Sequence, residues 1–228
     1  MDREFELLKK IKVEKEEDFN SLPKRLPQDE LDEILKNVII NYTYLYNNEE
    51  KTIDEEVNAI VDNMYIILDT LVRMGVHPGF IFDTLATYNY ERIKNANKLA
   101  YSGKKNQRND IFFPYSAVRN ELKLMNDYNY VGYDENLYLC YDKILTINKE
   151  LNLPYSTVPK KIDGNRKKGI FISITNQRNN IMNADDIIDE SIYLVDLLYT
   201  SVNMLVEMGI NPEVILTNRI NEEKGKHI

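Results

Sequence analysis

Apolar residues recur at steps of three and four along most of the chain, the spacing of one buried stripe on a helix. Residues 28–48 show it plainly, with Leu31, Ile34, Leu35, Val38, Tyr42 and Leu45 in register and Asn47-Asn48 closing the element. Before it, Phe5, Leu7, Leu8 and Ile11 sit among mixed charges in residues 1–20, and Leu22-Pro23 and Leu26-Pro27 end that short amphipathic helix. Thr52 stands three places before Glu55, a capping-box spacing, and opens a helix whose apolar face includes Val57, Ile60, Val61, Met64, Ile67, Leu68, Leu71 and Val72. Gly75 stops it, because glycine enters the left-handed conformation at a helix end without a side-chain clash. A further helix spans about 79–99, and helical spacing returns over 114–127, 134–151 and 184–208, with Gly209, Asn211-Pro212 and a terminal helix after it. Residues 101–113 lack periodicity and read as a connector. Residues 153–183 read as a mobile basic loop, because Pro154, Pro159, Gly164, Gly169 and the cluster Lys160, Lys161, Arg166, Lys167, Lys168 break the pattern; inside it Ile170 to Ile174 alternates like a short strand.

Composition narrows this picture. With 8 glycines and 7 prolines in 228 residues, the chain has few of the tight turns that a sheet protein needs, so the fold class is all-α, a helical bundle. The 29 basic and 37 acidic residues leave a net charge of −8, which disfavours a nucleic-acid partner bound by bulk electrostatics. No run approaches the roughly 18 apolar residues of a spanning helix, so no membrane partner is expected. One cysteine, Cys140, cannot form an internal disulfide, and MDREFELLKK has no apolar stretch of signal-peptide type, so a cytoplasmic location is expected.

Sliding the chain against itself shows a repeat: residues 55–81 match residues 189–215 at a constant offset of 134 without a gap, with ten identities in 27 positions. The identities include Glu56/Glu190, Asp62/Asp196, Tyr65/Tyr199, Gly75/Gly209 and Pro78/Pro212. About two would arise by chance. The chain therefore reads as a fused pseudo-dimer, with a first half at 1–100, a connector at 101–113 and a second half at 114–228. Association into homo-oligomers is compatible with this reading.

On the helix of residues 53–74, Glu55, Asn58, Asp62, Tyr65 and Asp69 fall on the arc opposite the apolar face. The second copy keeps an acid at the first and third places and a tyrosine at the fourth, as Asp189, Asp196 and Tyr199. Such a stripe also describes a solvated helix face. Glu30 and Glu33 place two carboxylates on one turn of the preceding helix. If that helix packs antiparallel to residues 53–74, the pair converges with the Asp62 region into an oxygen-only pocket suited to Mg²⁺ and, through it, to a nucleoside polyphosphate. His77 reads as a turn residue and Cys140 as a buried, inert thiol.

These residues resemble the all-α nucleoside triphosphate pyrophosphohydrolases of the MazG-like superfamily, which also includes dimeric dUTPases. Glu30-x-x-Glu33, Asp62 at its distance from Met74-Gly75-Val76-His77-Pro78, and Phe82-Asp83 with Asn89 carry the likeness, over roughly 28–95 and more loosely 134–224. The resemblance implies two MazG-like halves and hydrolysis to a monophosphate and pyrophosphate. Glu30, Glu33, Asp62 and Glu55 would hold Mg²⁺, with Glu33 and Asp62 as the catalytic carboxylates. Asn58, Tyr65, Asn89, Arg92, Lys167, Asp189, Asp196 and Tyr199 would hold the nucleotide. Ala59 and Tyr193 stand where the pattern has its second metal-binding glutamate. That departure gives a second reading, a non-catalytic protein that sequesters an intact nucleotide or nucleotide-derived signal. A third is a helical module that binds a protein partner.

Overall fold

The computed structural model describes residues 1–46, 51–101, 119 and 136–225. These form α1 (Asp2–Glu14), α2 (Gln28–Tyr46), α3 (Ile53–Met74), α4 (Gly79–Tyr101), α5 (Leu137–Glu150), α6 (Gly164–Met182), α7 (Ile187–Met208) and α8 (Glu213–Gly225), with no strand among the described residues. The expected connector at 101–113 and helix at 114–127 lie outside them, apart from Tyr101 and Arg119.

The ends of the helices follow from the sequence. The Thr52 hydroxyl accepts from the Glu55 amide at 3.2 Å while the Glu55 carboxylate accepts from the Thr52 amide at 2.7 Å, completing the capping box of α3. Asp186 does the same work for α7, accepting from the amides of Ile188 and Asp189 at 3.0 Å each. Gly75 and Gly209 close α3 and α7 in the left-handed region, at φ 72° and 71°. The Gly75 turn is crossed by the segment that joins α1 to α2, and the Gly209 turn by the segment that joins α5 to α6. The Lys24 amide donates to the Met74 carbonyl at 2.9 Å, and the Lys160 amide donates to the Met208 carbonyl at 3.0 Å.

Residues 153–183 are not a loop with a strand. Residues 164–182 form α6, and Ile170 to Ile174 lies inside that helix. Its buried positions are Ile170, Ile174, Gln177 and Ile181, a helical spacing in which one member is polar. The Asp163 carboxylate accepts from the Asn165 and Arg166 amides and starts it. Packing against α2 and α7, rather than helix propensity, holds it in place.

α3 and α7 form the centre and pack on each other. Ile60, Met64, Leu68 and Leu71 of α3, with Leu194, Leu198, Val202 and Leu205 of α7, are completely buried. The pairings repeat along the chain: α1 and α2 pack on α3 as α5 and α6 pack on α7, while α8 covers α3 and α4 covers α7. α2 also packs on α6, and α1 on α5. In this pattern α4 lies against α7 and α8 against α3, so the helix that follows each repeated glycine packs on the other central helix.

Candidate functional site

A cavity of about 440 Å³ opens between α4, α5, α6 and α7. Four residues expected at a nucleotide site converge on it: Asn89 and Arg92 from α4, and Asp196 and Tyr199 from α7. α6 adds Arg166, Ser173 and Gln177, and Asn148 and Asn203 come from α5 and α7. Ile93, Leu153, Pro154, Ile170 and Met204 provide apolar surface. The volume falls in the roughly 300–1,000 Å³ range of small-molecule sites, and polar residues outnumber apolar ones in the lining.

The polar groups are held in place. Asp196 is buried and accepts from Gln177 Nε2, which also donates to Thr200 Oγ1 at 3.2 Å. The buried Asn148 amide donates to the Pro154 carbonyl at 2.8 Å and to Asn203 Oδ1 at 2.9 Å. Tyr199 packs its ring against Phe82 with centroids 5.7 Å apart and lines the cavity together with Asn89. Burial, and then the neighbouring Asp196 charge, pushes the Tyr199 phenol above its ordinary value, so it stays neutral. Arg166 is held by Glu207 at 2.6 Å. Arg92 is exposed and has no ion-pair partner among the described residues.

The first copy is built differently at the matching place. Asp62 receives Arg219 Nε of α8 at 2.8 Å, and the same guanidinium lies 4.7 Å from the centre of the Tyr65 ring and 2.6 Å from Glu223. Lys12 of α1 pairs with Asp69 at 2.7 Å and with Glu17 at 3.1 Å. Ion pairs among its own side chains thus occupy this position.

The expected carboxylate cluster does not come together. α2 and α3 are antiparallel, since Asn41 bonds Asn63 at 2.9 Å and Glu30 pairs with Arg73. Glu30 therefore lies against the C-terminal end of α3, about 16 Å along the helix from Asp62 at ~1.5 Å per residue. Glu33 is exposed on α2, and Glu55 is committed to the cap of α3. Among the described residues no group of three or more His, Cys, Asp and Glu side chains is placed to hold a metal ion. Glu30, Glu33, Glu55 and Asp62 are not placed to share one Mg²⁺.

Three other expected residues lie elsewhere. Asn58 is exposed on α3, Asp189 pairs with Arg119, and Lys167 pairs with the buried Glu56 across the two copies. Sequence reading missed Gln177, Asn148 and Asn203. The signal for Asn148 is a second alignment at offset 136, where Leu22-Pro23-Lys24 matches Val158-Pro159-Lys160 and carries Lys12 onto Asn148. No protein-family model, curated protein or solved structure matches this chain.

Proposed function

We propose that the protein binds a nucleotide or nucleotide-derived small molecule in the cavity between α4, α5, α6 and α7, and holds it intact. The observation that carries this reading is the convergence of Asn89, Arg92, Asp196 and Tyr199 on one cavity. Arginine supplies charge and directed donors for a phosphate, and the apolar wall beside Tyr199 suits the face of a base. Binding is favoured over hydrolysis because the carboxylates that would share a metal are dispersed, two of them in ion pairs with Arg73 and Arg219. A MazG-like origin is part of this proposal.

The test is to denature the purified protein and identify released small molecules by mass spectrometry, then to titrate the emptied protein with nucleotides, with and without Mg²⁺. An intact nucleotide, bound with or without the metal, is the expected result. Steady release of pyrophosphate from a triphosphate would replace this reading with the hydrolase one. Failure of every nucleotide to bind under both conditions would leave the protein-partner reading.

A further inference from the structure

The two copies of the repeat have the same groups at Asp62/Asp196 and Tyr65/Tyr199, but different surroundings: Asp62 is partly exposed and Asp196 is buried. Three charged residues around the first pair, Lys12, Asp69 and Glu223, stand where the second has the amides Asn148, Asn203 and Asn89. Arg219, which fills the first position, stands where the second has Leu85. Replacing a self-neutralising set of ions by amides removes the ion pairs and leaves open space lined by neutral amides, which are oriented by bonds such as Asn148 to Asn203 and by chemistry can meet donors or acceptors. A planar heterocycle with donors and acceptors on its edge matches that lining; a simple ion does not.

Charge sets the rest of the ligand. The second position holds two cations, Arg92 and Arg166, against the carboxylate of Asp196. Among the described residues Arg166 is neutralised by Glu207, and Arg92 is the lining cation without an ion-pair partner. A triphosphate would bring roughly four negative charges to Arg92 and the buried Asp196, and desolvating that many charges beside one arginine is costly. A single phosphate can sit on Arg92 at the rim, away from Asp196.

Resting on the nucleotide-binding reading above, we infer that the cavity takes a nucleoside monophosphate, one per chain, and that the matching position in the first copy is closed to ligand by Arg219. The experiment is equilibrium dialysis and calorimetry of the whole chain. The probes are the common ribo- and deoxyribonucleoside monophosphates, their nucleosides, their triphosphates without added metal, and inorganic phosphate. At least one monophosphate saturates at one per chain and binds at least tenfold more tightly than its own nucleoside and its own triphosphate. Inorganic phosphate alone does not compete. Arg92→Ala weakens the monophosphate by about tenfold to a hundredfold and leaves the nucleoside unchanged. A triphosphate that binds more tightly than its monophosphate, saturation at two per chain, or an Arg92→Ala variant that binds the monophosphate normally would overturn this inference while leaving nucleotide binding in place. The absence of binding by every probe would remove the parent reading as well.

Discussion

Glu207 of α7 clamps Arg166 of α6 in a forked geometry, with Nη2 2.6 Å and Nε 3.0 Å from one carboxylate oxygen and Nε 3.1 Å from the other. The same link occurs in the first copy with its charges exchanged, as Arg73 of α3 with Glu30 of α2. Position by position, the helix pair needs one acid and one base at this place, and either order serves.

That equivalence predicts the behaviour of variants. Arg166→Ala leaves the buried Glu207 with Asn203, 3.1 Å away, and costs about 1–2 kcal/mol in urea unfolding. Glu30→Ala, at a more exposed pair, costs under about 1 kcal/mol. The exchanged pair Arg166→Glu with Glu207→Arg recovers at least half of the loss caused by Arg166→Glu alone. Additive losses in that double variant would refute the equivalence.

Much of this organisation could be read from the chain. The caps at Thr52 and Gly75 and the long apolar faces of α3 and α7 are local signals, because a capping box and a left-handed glycine depend on residues within one turn. α6 was hidden for the opposite reason. Its stripe contains Gln177 in place of an apolar residue, and Gly164 and Gly169 lower its helix propensity, so only packing against α2 and α7 defines it. The site was half legible. The repeat marks Asp196 and Tyr199, but nothing local shows that α4 crosses to cover α7, or that Arg219 fills the matching place in the first copy. Glu30 and Glu33 pointed to Asp62 only while the register of α2 against α3 was undefined.

The two helix-ending glycines give a sharper test of the crossing segments. A Cβ on Gly75 would lie 2.5 Å from the Asn20 carbonyl oxygen and one on Gly209 would lie 2.6 Å from that of Val158, in addition to the strain of a positive φ. Gly75→Ala and Gly209→Ala should each cost at least ~2 kcal/mol. Gly169→Ala is the control: it meets nothing within 4 Å and lies inside α6, so it should stabilise by about 0.5–1 kcal/mol. Denaturant midpoints of the three variants decide it, and a stable Gly209→Ala protein would be incompatible with the crossing at Val158.

Lys167 was expected to hold nucleotide, and its position predicts a structural role instead. It pairs with Glu56, whose side chain is 2 % exposed and whose Oε2 is buried without a hydrogen-bond partner. Removing the cation strands a buried charge, so Lys167→Met should destabilise by about 3–5 kcal/mol, whereas Lys167→Met with Glu56→Gln should regain most of it. Ligand affinity measured on the double variant should equal that of the wild type. A tenfold loss there would return Lys167 to the binding site.

The equivalent acid in the second copy, Glu190, predicts a pH dependence. Its side chain is fully buried, and burial raises its pKa above the usual 4.5, outweighing the pair with Arg25 Nε at 2.7 Å. A carboxyl whose folded value is raised binds its proton more tightly folded than unfolded. Its contribution to stability is then complete below about pH 4.5 and is lost as pH rises through the folded value. Asp2 and Asp69, also raised by burial, act in the same direction, while Asp32, Glu55 and Asp186 are lowered and act in the opposite one. Comparing Glu190→Gln with the wild type cancels all five, because only the titration of Glu190 differs between the two proteins. The stability of the variant relative to the wild type should therefore increase between pH 4 and pH 7 in urea unfolding. Parallel stability curves across that interval would show that Arg25, rather than burial, governs Glu190.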